Sequence, residues 1–98
     1  MTWAVEFHPL VRDEDLPALD QTARRRILQA VREKLAVDPE AYGERLRAEL
    51  HGYWKLRVGR YRVIYEVRKK LVTVLVLKIG RRRDDEVYKQ MSKRLKKL

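Results

Sequence analysis

The sequence predicts an α+β domain: a small antiparallel sheet in the element order β-α-α-β-β-β-α, with a helix pair packed on one face and a C-terminal helix. Three observations carry that prediction. Apolar residues recur at helical spacing over 21–37 and again over 84–98. Between these stretches, residues 53–58, 61–68 and 71–79 alternate with period two, as half-buried strands do. Finally, 98 residues support one hydrophobic core, and no repeat, low-complexity segment or linker divides them, so residues 1–98 read as a single domain.

The elements follow in order. In TWAVEFH (2–8), Trp3, Val5 and Phe7 lie on one side and Thr2, Glu6 and His8 on the other, the pattern of a first strand. Pro9 suits the first turn of a helix. Pro17 should interrupt that helix near Asp15 or Leu16, because proline lacks an N–H and its ring clashes with the preceding turn. Asp20 is placed to cap the next helix. Within QTARRRILQAVREKLAV (21–37), Ile27, Leu28, Val31 and Leu35 form one stripe, with Arg24, Arg25, Arg32 and Lys34 mostly elsewhere. Asp38-Pro39 ends it.

Residues 40–52 read as a loop with a short helical or extended piece around 44–50. Gly59-Arg60 and Lys69-Lys70 mark the turns between the three following strands, and Gly80 closes the last of them. In the final helix Asp84, Asp85 and Glu86 stand at the start, with Lys93, Arg94, Lys96 and Lys97 at the end, an order that complements the helix dipole. Val87, Met91, Leu95 and Leu98 form its apolar stripe. Two or three helices on one face of the sheet bury these stripes. The late cations are then expected as a solvated helix end or a partner contact.

Composition narrows the function. The formal net charge is +10, which favours nucleic acid, an anionic membrane surface or an acidic protein as partner. The chain has no cysteine, so disulfides and cysteine metal sites are excluded, in keeping with a reducing cytoplasm. MTWAVEFHPL has no basic region followed by a long apolar stretch, so no secretory signal is expected. The longest apolar run, LVTVLVL, is far short of the ~20 residues that span a bilayer, so no membrane partner is expected.

The stretch WKLRVGRYR (54–62) makes the charge specific. Gly at the first position of a two-residue loop suits a type II′ turn. The register then sets Val58 opposite Tyr61, Arg57 opposite Arg62, Leu56 opposite Val63 and Trp54 opposite Tyr65. Trp54, Leu56, Val58, Tyr61, Val63 and Tyr65 form the core face, and Lys55, Arg57, Arg62 and Ile64 the other. Like charges opposed across a ladder cost a few tenths to about 1 kcal/mol. A sequence shaped only for folding would place a glutamate there, so the pair points to a site. The third strand returns antiparallel and brings Arg81, Arg82 and Arg83 towards the same corner, with Tyr88 about one turn into the last helix.

GYWKLRVGRYRVIYEV followed by VLKIGRRRDDEVY resembles the RelE/ParE superfamily of toxin–antitoxin toxins, and the resemblance extends over nearly the whole chain. Within it, the RelE branch comprises ribosome-dependent mRNA endonucleases that use neither metal nor cofactor and cleave the codon in the A site of the 70S ribosome. The residues matching that branch's site are Lys55, Arg57, Arg62, Arg82 and Tyr88, with Arg60, Arg81 and Arg83 as further RNA contacts. The second basic residue of the strand is a lysine in the best-known RelE pattern and an arginine here. Arg57 keeps its charge at any working pH, which suits it to holding a phosphate rather than moving a proton.

Cleavage of RNA by its own 2′-OH requires removal of the hydroxyl proton, stabilisation of charge on the phosphoryl oxygens and a proton for the departing 5′-oxygen. His8 and His51, the only histidines, lie off the hairpin face. Positive charge around a phenol or an ammonium eases proton loss. The expectation is that Tyr88 or Lys55 takes the proton while Arg62 and Arg82 stabilise the phosphorane-like charge. The superfamily also implies two alternatives: a ParE-like inhibitor of DNA gyrase, and a degenerate toxin fold that binds without cleaving. A strongly basic domain with apolar seams further invites an acidic, partly disordered antitoxin, with the free toxin monomeric and active.

Overall fold

The computed structural model of the protein describes residues 2–81 and 86–97. Five strands form one sheet: Ala4–Phe7 (β1), Glu44–Arg45 (β2), Trp54–Val58 (β3), Tyr61–Arg68 (β4) and Thr73–Arg81 (β5), in the spatial order β1-β5-β4-β3-β2. The helices are Gln21–Ala30 (α1), the short Pro39–Tyr42 (α2) and Glu86–Leu95 (α3). The α+β class is the one the sequence predicts, and the element order differs from the predicted one by the short added strand β2. One edge departs from the expected antiparallel sheet, because β1 pairs with β5 in parallel. Alternation in TWAVEFH marks a strand without fixing its direction, which the β3–β4–β5 meander sets by returning beside β1.

A helical turn over Val11–Asp15 stops before Pro17. Asp20 caps α1, its Oδ1 accepting the Ala23 N–H at 2.7 Å. The helix continues through a wider π-type turn, Val31–Leu35. Ile27, Val31 and Leu35 thereby reach the sheet, where they bury Leu56, Val58, Val63, Tyr65, Val74, Val76 and Ile79. Among the described residues Tyr65 is the largest fully buried side chain, and it donates its hydroxyl to the Pro39 carbonyl at 2.6 Å. Burial pushes the Tyr65 phenol upward from its ordinary value, and the charge of Glu40 adds to the shift.

The third helix corrects the one-faced arrangement. α3 covers the opposite side of the sheet, where Val87 and Met91 pack with Leu50, Ile64 and Leu77. Gly80 is also reassigned. It lies inside β5, paired with Arg62, and a Cβ there would stand 2.9 Å from Val87 Cγ2. The glycine admits the helix rather than closing the strand. Leu77 is an extra residue opposite the Ile64–Tyr65 step, and this bulge turns it towards α3. The expected Lys69-Lys70 turn is a longer one, a single 3₁₀ turn over Lys69–Leu71 completed by Val72 at φ 49°.

Arg94 is the other departure. The sequence places it in a solvated helix end or a partner contact, yet only 8% of it is exposed. Its Nη1 and Nη2 donate to Asp15 Oδ2 and Oδ1 at 2.7 and 2.9 Å, and Nη1 also donates to the Leu77 carbonyl at 2.9 Å. Asp15 accepts in addition from Lys78 Nζ at 3.1 Å and from the Ile79 N–H at 2.9 Å. Both Asp15 oxygens and both terminal nitrogens of Arg94 are therefore engaged, as a charge removed from water requires.

Candidate active site

The β3–β4 hairpin has the register that its alternation and Gly-Arg turn dictate. Gly59 takes φ +57° and Arg60 a negative φ, as a type II′ turn requires. Arg57 faces Arg62 and Lys55 faces Ile64 across the ladder, so Lys55, Arg57 and Arg62 share the sheet face beneath α3.

α3 carries Tyr88 over that face. Arg62 Nη1 is hydrogen-bonded to the Tyr88 hydroxyl, and the Arg62 guanidinium carbon lies 4.9 Å from the centre of its ring. Lys55 Nζ lies 5.7 Å from the same ring centre. Both cations thus meet the negative face of one aromatic ring, an attraction worth about 0.5–2 kcal/mol each. That attraction offsets part of the repulsion between them. Arg62 Nε is buried and has no hydrogen-bond partner among the described residues. An unpaired buried donor costs about 1–3 kcal/mol, which selection for stability alone would remove.

The other predicted site residues divide. Arg57 is exposed on the same face, and Arg60 is exposed at the hairpin tip. Arg81 pairs with Tyr61, which turns it to the opposite side of the sheet from Arg62. The path of the chain alone predicts Arg81 at the patch, and the parity of the strand sets it on the other face. Arg82 and Arg83 lie outside the described residues. His8 is away from the patch, its Nδ1 accepting the Leu10 N–H at 3.1 Å.

Sequence reasoning missed the wall beside Lys55. The two-residue strand β2 pairs with β3 and sets Glu44 against Lys55, with 3.7 Å between the charged groups. Glu44 is largely exposed, so the pair adds little stability and leaves Lys55 available. Beyond β2 the chain turns through Ala48–Leu50 and opens a groove of about 610 Å³ against α3, where Arg45, Arg47, Lys55 and Lys89 outnumber the carboxylates Glu44 and Glu49 and Tyr88 forms part of the wall. Alternating charge in ERLR (44–47) was the available signal. The arrangement supplies fixed positive charge for phosphoryl oxygens, a phenol in contact with it, and a basic groove leading away. Among the described residues, no cluster of His, Asp and Glu has the makings of a metal site. None of the described helices is long and apolar enough to cross a membrane.

Comparison with known proteins shows what this chain is similar to. Residues 5–86 match the family model described as the ParE toxin of a type II toxin–antitoxin system, parDE. Toxin RelG of Mycobacterium tuberculosis is 38% identical over 74 residues, which cover 64% of this chain and 85% of that protein. The toxin in the crystal structure of the toxin–antitoxin complex RelBE2 from Mycobacterium tuberculosis superposes with a TM-score of 0.79 at 28% identity, over 86% of this chain and 95% of that one. A mutant of E. coli toxin RelE in the free state gives 0.72 at 27% identity, over 97% and 99% of the two chains.

Proposed function

The chain belongs to the RelE/ParE toxin family of type II toxin–antitoxin systems, and from that premise we propose that it is a ribosome-dependent endoribonuclease that cleaves mRNA in the A site. The observation that carries the reading is the convergence of Lys55 and Arg62 on Tyr88. A phosphodiester laid across this face meets Arg62 and Arg57 as counter-charges for its non-bridging oxygens. Preorganised cations of this kind act where charge develops in the transition state. Tyr88, or Lys55 beside it, takes the 2′-OH proton. Arg82 adds charge from the segment after β5. The ribosome supplies orientation of the codon, a contribution of several kcal/mol.

An acidic antitoxin is the natural inhibitor, since its carboxylates match the +10 surface and cover the patch. The similar solved structures include complexes of RelE toxins with RelB antitoxins, which supports the same partnership here. The free protein is then the active state, in the cytoplasm where ribosomes are.

The test uses 70S ribosomes programmed with end-labelled mRNA and an exposed A-site codon. Cleavage within that codon by the free protein is expected. Intact mRNA in the presence of folded protein would overturn the proposal. It would favour a second reading, suggested by the match to the ParE model: a toxin that inhibits its target, such as DNA gyrase, by binding alone. A supercoiling assay separates the two.

A further inference from the structure

Two kinds of contact hold α3 to the sheet. The first is the apolar seam of Val87 and Met91 with Leu50, Ile64 and Leu77. Such burial is non-directional, and it tolerates sliding and rotation of a helix along the seam. A slip of one residue moves an α-helix by about 1.5 Å and turns each side chain by about 100°. The seam alone does not fix where Tyr88 stands.

The second contact is directional. The planar fork of Arg94 meets both oxygens of Asp15, and one of its nitrogens also meets the Leu77 carbonyl. Bidentate guanidinium–carboxylate pairs add geometric specificity to their energy. Asp15 is in turn anchored to β5 through the Ile79 N–H and Lys78. These anchors belong to the strand segment that pairs with the patch, since Lys78 faces Ile64 and Gly80 faces Arg62. The helix and Arg62 are thus referenced to one piece of backbone.

We infer that Asp15 and Arg94 form a positioning pair, which fixes the register of α3 so that the Tyr88 hydroxyl stands against Arg62. The consequence for catalysis rests on the nuclease reading above, whereas the positional claim does not. Stability alone does not explain the pair. Replacing a buried ion pair with apolar residues of similar volume is often neutral or stabilising. Arg94 is six residues beyond Tyr88, about 9 Å along the helix, and touches neither the patch nor the groove.

The experiment separates position from stability. 3-Fluorotyrosine is placed at 88, and its ¹⁹F resonance, the cleavage kinetics on programmed ribosomes and the melting temperature are read for wild type, Asp15→Leu/Arg94→Met and Arg94→Lys. The apolar double variant leaves the Ile79 N–H and Lys78 without the Asp15 carboxylate and should melt below wild type, with a displaced or broadened ¹⁹F signal from the folded chain. Its kcat should fall about 100-fold, the loss expected for a misplacement near 1 Å, while KM changes less than about 2-fold. Arg94→Lys keeps a cation against Asp15 without the fork, and should show a smaller displacement of the same signal. A double variant with the wild-type ¹⁹F signal and rate would overturn the inference. If that variant does not fold, an unchanged resonance in Arg94→Lys would overturn it equally. A wild type that cleaves nothing removes the nuclease reading, and the ¹⁹F comparison still decides the positioning pair.

Discussion

The two faces of the sheet are built to different standards. Beneath α1, Leu56, Val58, Val63, Tyr65, Val74 and Val76 are buried, and the one phenol fully enclosed there has a hydrogen-bond partner. Beneath α3 the apolar cluster is smaller, Arg57 opposes Arg62, a buried Arg62 donor has no partner among the described residues, and a groove stays open. Sequence selected for folding fills one face. On the other, it retains arrangements that folding alone disfavours, and these surround Tyr88. Local rules break most often at functional sites, which makes the place of failure informative.

The largest effect that would sharpen this contrast is catalytic. Tyr88→Phe should lower kcat on programmed ribosomes by about 10²–10⁴-fold, the range for removing a general acid–base group. Its urea midpoint should move little. On the α1 face the consequence should reverse. Leu35→Ala removes a fully buried side chain from the core, and should lose about 2–5 kcal/mol in urea unfolding, with wild-type kcat for the fraction that remains folded. A Tyr88→Phe chain as destabilised as Leu35→Ala would break the distinction.

The hairpin shows why part of this was legible in the sequence. A period of two and a Gly-Arg turn leave one register, so the opposition of Arg57 and Arg62 follows from residues 54–65 without a structure. The destination of α3 was not legible. An amphipathic stripe says that a helix buries one side, not which face of a sheet receives it. Arg94 was hidden for a related reason. A cation in the last turn of a helix is ordinarily solvated, and its partner Asp15 lies 79 residues earlier. Arg81 was misplaced because the path of the chain locates a residue at an edge while strand parity decides its face.

Two smaller effects test the same division. Arg57→Glu replaces an opposed like-charge pair with an attractive one, and should stabilise the fold by a few tenths to about 1 kcal/mol. The same change should weaken cleavage, so that stability and activity move in opposite directions. Loss of both together would contradict the assignment of this ladder position to a site. Tyr65 gives the pH signature of the filled face. Its folded-state value is raised, so its contribution to stability is complete below the ordinary tyrosine value of about 10 and is lost as pH rises from there towards the folded value. Unfolding midpoints should fall above about pH 10 in wild type, and that alkaline decline should be shallower in Tyr65→Phe. Identical alkaline profiles would remove the phenol from the account.

The most direct measurement is Arg62→Ala, with A-site cleavage of end-labelled mRNA and urea unfolding read from the same preparation. Arg62 is the one described residue that faces Arg57, is hydrogen-bonded to Tyr88 and holds an unpaired buried donor. Cleavage should fall by about 10²–10³-fold, the loss for removing one transition-state donor, with a midpoint equal to or above that of wild type. A variant that cleaves at the wild-type rate, or loses cleavage only in proportion to its loss of fold, would contradict the claim that this face is built for chemistry.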